Sequence, residues 1–192
     1  VGHCDGMAFF IKDTVIGDKV EAKIMKMKKT YGYARMTRLL TPSKDRVEAR
    51  CAVARQCGGC QIQSMSYPAQ LQFKENKVRN NLVRIGKFEN PPMEPIIGMQ
   101  EPFRYRNKAQ FPIGLAKDGR RIAGFYAGRT HAIIENRDCA LGVTRNKEVL
   151  DRVIAHMEKF HIQPYDENTG KGLVRHVLIR YGFFTDEMMV CL

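Results

Sequence analysis

The sequence predicts an α+β protein. Its first fifty residues alternate apolar and polar side chains over short stretches, and two later segments carry apolar residues at helical spacing. Strands and helices mix without the strand–helix–strand rhythm of a parallel sheet.

Within "MAFFIKDTVIGDKVEAKIMKMKKTYGYARMTRLL" the pairs Gly17-Asp18 and Tyr31-Gly32 punctuate short strands. Lysines 23, 26, 28 and 29 interleave with Ile24, Met25 and Met27, and Tyr31 and Tyr33 follow. A small β-barrel with lysines and tyrosines on one face would suit nucleic-acid backbones and stacked bases; the plain alternative is a solvated strand face. In "SYPAQLQFKENKVRNNLVRIGKF" the spacing predicts a helix, with Ser66 as cap, Pro68 in the first turn and Gly86 at the stop. Leu71, Val78, Leu82 and Ile85 would form its buried face, opposite a basic one. "RYRNKAQFPIGL", the turn "AKDGR" and "RIAGFYAGRTHAIIE" read as a β-hairpin. Thr144 is placed to cap a second helix, whose stripe is Val149, Leu150, Val153, Ile154, Met157 and Phe160. After "YDENTGKG", the runs "LVRHVLIRYG" and "EMMVCL" are strand-like.

Composition narrows the functional classes. The formal net charge of +12 on 192 residues favours a polyanion as partner, and nucleic acid is the commonest. No apolar run approaches the roughly 18 residues of a membrane span and no signal-peptide pattern opens the chain, so a cytoplasmic protein without a membrane partner is expected. No glycine-rich turn has dinucleotide or P-loop spacing, no Ser/His/Asp grouping is suggested, and the five histidines are scattered. The chain opens on Val1 and stops within an apolar run, so it is expected to be part of something longer.

Chemistry concentrates in "CAVARQCGGCQ", where Cys51, Cys57 and Cys60 have the spacing C-x5-C-x2-C. In a reducing compartment such cysteines are thiols or metal ligands rather than disulfides. Tetrahedral binding of a soft metal needs a fourth ligand, and Cys4, Cys139 and Cys191 are available. Cys4 lies near the terminus and Cys191 in an apolar strand, which favours Cys139 in the loop "NRDCALG". Spacing alone leaves iron–sulfur, zinc and three unbound thiols open.

The ordered run of "CGGCQIQSMSYPAQLQFKENKV", "LVRIG", "YRNKAQFPIG", "NRDCALG", "GLVRHVLIRYG" and "EMMVCL" resembles the RNA uracil-C5 methyltransferases, in particular their iron–sulfur ribosomal branch. The resemblance implies a [4Fe–4S] cluster on Cys51, Cys57, Cys60 and Cys139. Residues 1–45, through "DGMAFFIKDTVIGDKVEAKI" and "YGYARMTRLLTPSKDRV", resemble the family's TRAM domain, an OB-like β-barrel, here with its first strand shortened or missing. Residues 46–192 would be the central iron–sulfur and RNA-recognition domain.

The resemblance also implies S-adenosylmethionine as methyl donor, 23S ribosomal RNA as substrate, and 5-methyluridine as product. The nucleophile, base and cofactor sheet would lie in a Rossmann-like domain beyond Leu192, so this portion alone would be inactive and none of its six cysteines is assigned the nucleophile's role. Arg106, Asn107 and Lys108 are the first choices for RNA contact, Arg175 and His176 the second. Arg104, Lys26, Lys28 and Lys29 would supply phosphate attraction. The rival is a non-enzymatic RNA-binding module with structural zinc or an iron–sulfur site. A radical methylthiotransferase is disfavoured, because those use C-x3-C-x2-C and leave one iron open.

Overall fold

The computed structural model describes residues 1–192, and the chain is α+β with two sheets and two helices. It divides into two compact units, Val1–Ala49 with Gln61–Gly98, and Arg50–Cys60 with Met99–Leu192.

In the first unit, β1 (Gly2–Cys4), β2 (Met7–Lys12), β3 (Lys19–Met27) and β4 (Tyr31–Thr41) form one sheet in the order β1-β2-β4-β3. β2 and β4 are parallel, and the other pairs antiparallel. The expected barrel is not closed: β1 and β3 are the two edges and do not pair. Closure needs strands long enough to tilt and stagger against each other, and β1 has three residues. The turn before β3 is locked by an ion pair. Arg46 Nη2 stands 2.5 Å from Asp18 Oδ2 and also donates to the Asp13 carbonyl at 2.9 Å. The Asp18 carboxylate accepts the backbone N–H groups of Val15 (2.6 Å) and Ser43 (2.9 Å).

The first predicted helix is α1 (Tyr67–Arg84), with proline in its first turn and Ser66 at the N-cap position, though the serine hydroxyl makes no capping bond. Gly86 follows as expected, its N–H donating to the Asn81 carbonyl at 3.0 Å. The predicted buried face is not buried. No residue of α1 is fully covered, and Val78 and Ile85 are 52% and 78% exposed. Helical spacing puts residues on one side; it does not supply an element to cover them.

In the second unit, β5 (Lys108–Leu115), β6 (Arg121–Tyr126), β7 (Ile133–Glu135), β8 (His176–Tyr181) and β9 (Met188–Cys191) make an antiparallel sheet ordered β7-β6-β5-β8-β9. The run predicted as the hairpin's second strand is broken in two, because a turn at 127–130 returns the chain (Thr130 N–H to Ala127 C=O, 3.2 Å). One sheet face is packed by α2 (Arg145–Lys159). Alternation puts Ala109, Phe111 and Ile113 of β5 and Val177 and Ile179 of β8 on that face, against Leu150, Ile154 and Met157 of the helix. Each large side chain so buried stabilises by about 1.5–3 kcal/mol. Val149 and Val153 join this stripe partly, whereas Phe160, expected within it, is exposed. Thr144 occupies the N-cap position without a side-chain bond. No helix is long and apolar enough to cross a membrane.

Candidate metal centre and nucleic-acid interface

The cysteine segment folds as successive tight turns. The N–H groups of Gln56 and Cys57 both reach the Val53 carbonyl, at 3.0 and 2.9 Å. The segment is fastened to the end of β6, where Gly58 N–H donates to the Tyr126 carbonyl (3.0 Å) and Cys57 bridges Ala127. Cys57 is buried, while Cys51, Cys60 and Cys139 are half-buried; all six cysteines are outside disulfides. Gly59 N–H donates to Cys57 Sγ at 3.4 Å. The Asn136 amide donates to Cys51 Sγ at 3.6 Å, three residues before Cys139.

The loop carrying Cys139 is held by Arg104. Its guanidinium pairs with Asp138 (2.6 Å) and donates to the carbonyls of Cys139 (3.0 Å) and Gly142 (3.3 Å). This holds the Asp138 carboxyl below its ordinary pKa, through the hydrogen bond first and against its burial. Arg106 adds a backbone bond to Leu141 (2.8 Å). Upstream, Gly124 lets β7 lie hard against β6: a Cβ there would stand 1.9 Å from the Ile134 carbonyl oxygen. That approach aligns the Asn136 N–H with the Ala123 carbonyl (3.0 Å). Gly124→Val is therefore expected to part β7 from β6, cost about 3 kcal/mol, and release Asn136 from Cys51. Urea unfolding and the alkylation rate of Cys51 check this. Wild-type values for both would refute it.

The structure thus places Cys51, Cys57, Cys60 and Cys139 in one unit, on two segments joined by the contact of Asn136 with Cys51. It does not gather their side chains: no group of three or more His, Cys, Asp or Glu side chains converges on a metal position. The donor set nevertheless fits a soft metal or an iron–sulfur cluster. Four thiols come from two fastened segments, and N–H donors already address two of the sulfurs.

The residues chosen for RNA contact sort by geometry. Asn107 and Lys108 line an open hollow of about 490 Å³ with Arg180, Tyr181, Thr185 and Glu187. Lys108 and Arg180 are cross-strand partners, so two exposed cations stand side by side. Arg106 is exposed but is not among the lining residues. Arg175 is paired with Glu167 at 2.7 Å. His176 lies 3.4 Å from the Tyr126 hydroxyl, and burial, followed by the charge of Arg175, lowers its pKa. That shift disfavours the charged imidazolium that would attract phosphate. Lys26 lies on β3 opposite Tyr33, and Lys28 and Lys29 are exposed in the turn that follows. Arg180 and Asn136 were not anticipated. Arg180 could have been found from the alternation His176–Leu178–Arg180, whereas no local signal pointed to Asn136.

No protein-family model matches the chain. Proteins named uncharacterized RNA methyltransferase match it throughout. One from Halalkalibacterium halodurans is 46% identical over 192 residues, and one from Listeria monocytogenes 44%, each covering all of this chain and 42% of the relative. A third, from Clostridium tetani, is 38% identical, with 41% of the relative covered. The chain thus spans about two fifths of the length of the curated relatives it matches. Among solved structures, the Pyrococcus abyssi tRNA (uracil-54, C5)-methyltransferase in complex with S-adenosyl-L-homocysteine matches with a TM-score of 0.70 and 25% identity. That match covers 95% of this chain and 40% of the other.

Proposed function

We propose that these residues are the RNA-recognition portion of an S-adenosylmethionine-dependent RNA uracil-C5 methyltransferase acting on 23S ribosomal RNA. One observation carries the uracil-C5 class: 95% of the chain superposes on a tRNA (uracil-54, C5)-methyltransferase with a TM-score of 0.70. The ribosomal substrate rests on the resemblance of the cysteine segment alone. The relatives named RNA methyltransferases support the reaction class. Methyl transfer itself is assigned to the part of such proteins that this chain does not span, where S-adenosylmethionine would supply the methyl group.

The chain's own residues would bind and orient the substrate. Lys108 and Arg180 place paired positive charge beside the hollow, and Asn107 offers both donor and acceptor to a base edge. A base must leave its stack before chemistry, and single-stranded or distorted RNA is read through such contacts. Cys51, Cys57, Cys60 and Cys139 would hold a [4Fe–4S] cluster, whose contribution is a rigid cross-link rather than electrons, since this methylation is redox-neutral.

Disrupting the gene and measuring nucleosides by mass spectrometry tests the proposal. The expected result is loss of one 5-methyluridine from 23S ribosomal RNA. Unchanged 5-methyluridine in every RNA would overturn it, and loss from transfer RNA would overturn the substrate assignment. Anaerobic purification separates the rival: zinc without acid-labile sulfide would favour a non-enzymatic RNA-binding module.

A further inference from the structure

The two faces of the first unit's sheet differ in chemistry. Phe9, Ile11, Gly32, Ala34 and Met36 share one face, where Gly32 and Ala34 are buried. The Phe9 ring lies across Gly32, at which a Cβ would stand 2.6 Å from it. The opposite face carries Phe10 on β2 and Tyr31 and Tyr33 on β4. Parallel register sets Ala8 beside Tyr31 and Phe10 beside Tyr33. The three rings form a closed group, with centroids 5.5 Å apart for Phe10–Tyr31 and 5.6 Å for Phe10–Tyr33 and Tyr31–Tyr33. The neighbouring Tyr33 side chain raises the Tyr31 pKa.

Three clustered aromatics are core material, yet here Phe10 is 47% exposed and both tyrosines are half-buried. Cations border them. Lys26 faces Tyr33 and Lys23 faces Arg35 across the β3–β4 pairing, and all three are exposed. The acidic residue of β3, Glu21, is already engaged by Arg38 at 2.5 Å and does not neutralise them. An aromatic group fixed in a positive rim matches a chain of stacked bases joined by phosphates.

We propose that Phe10, Tyr31 and Tyr33 are a stacking platform for unpaired RNA bases, with Lys23, Lys26 and Arg35 holding the adjoining phosphates. Because every base has a π-face and none of these side chains reads a base edge, the platform takes single strands without base preference. It rests on the proposed function for the identity of the polyanion as RNA, and it adds an RNA contact carried by the first unit.

Binding of the whole protein to four fluorescent probes tests this: oligouridylate, oligoadenylate, a duplex of the same length, and an abasic ribose-phosphate oligomer. Wild-type protein is expected to bind the two single strands about equally, and each at least roughly tenfold more tightly than the abasic oligomer. Tyr31→Leu and Tyr33→Leu should each weaken single-strand binding roughly tenfold with an unchanged salt slope, while Tyr33→Phe keeps the ring and stays near wild type. Lys23→Gln and Lys26→Gln should instead each lower the salt slope by about 0.7. Circular dichroism of each variant confirms that the sheet persists. Equal binding of the abasic and base-bearing oligomers, or wild-type binding by both leucine variants, would overturn the platform. So would preferential binding to anionic lipid vesicles. These readouts need no methylation, so they fail or succeed separately from the nucleoside measurement.

Discussion

Asp18→Asn is expected to lower the stability of the first unit by about 3 kcal/mol. The Asp18 side chain is 1% exposed and Arg46 19%, so the pair is desolvated and the substitution strands a guanidinium. Asparagine also offers one acceptor oxygen where the carboxylate serves the Val15 and Ser43 amides and Arg46 together. The same pair gives a pH signature. The hydrogen bond from Arg46 is the main cause holding the Asp18 pKa at about 2, against an ordinary 3.8. The associated stability, on the order of 2 kcal/mol, is complete above the unfolded pKa near 4 and drains away as pH falls through about 2. Urea midpoints of wild type and variant should therefore differ widely at pH 7 and converge near pH 2. A constant gap across that range, or none at neutral pH, would refute the assignment. The double variant Asp18→Leu/Arg46→Met should recover part of the loss, because a matched apolar pair leaves no charge stranded.

The second large effect is expected from Cys139→Ser. If the four cysteines hold a [4Fe–4S] cluster, anaerobically purified wild type carries about four irons and its brown absorption, and the variant carries almost none. The fold should weaken as well, because the cluster would join residues 51–60 to a loop some eighty residues later and so close a long segment of chain. Cys191→Ser, on the exposed edge strand, is the control and should keep its iron. An iron-replete, equally stable Cys139→Ser protein would remove Cys139 from the ligand set.

The local patterns in the sequence were read well where one element decides its own form. The α2 stripe lands on the core through Leu150, Ile154 and Met157, and "LVRHVLIRYG" and "EMMVCL" become paired strands. What escaped depends on distant partners. The apolar side of α1 had the right spacing but no covering element. The break after Tyr126 was signalled by Gly128, yet the alternation on either side concealed it. Phe10 could not be joined to Tyr31 and Tyr33 without knowing that β2 pairs in parallel with β4, although β3 lies between them in the sequence. The cysteine spacing identified donors, but whether four sulfurs meet depends on side-chain torsions and on a turn most of a hundred residues away. The role of Arg104 was equally hidden, because its partners Asp138, Cys139 and Gly142 are far along the sequence.

Because Arg50–Cys60 belongs to the unit completed by Met99–Leu192, the polypeptide passes from one unit to the other three times. During translation, Cys60 leaves the ribosome 79 residues ahead of Cys139. At roughly 5–20 residues per second, that is a wait on the order of ten seconds. For most of it the nascent chain displays three thiols before their docking strand, β6, has been made. If the four cysteines hold a metal, any ion delivered in that window would meet an incomplete donor set, and loading would follow synthesis of the loop at 136–142.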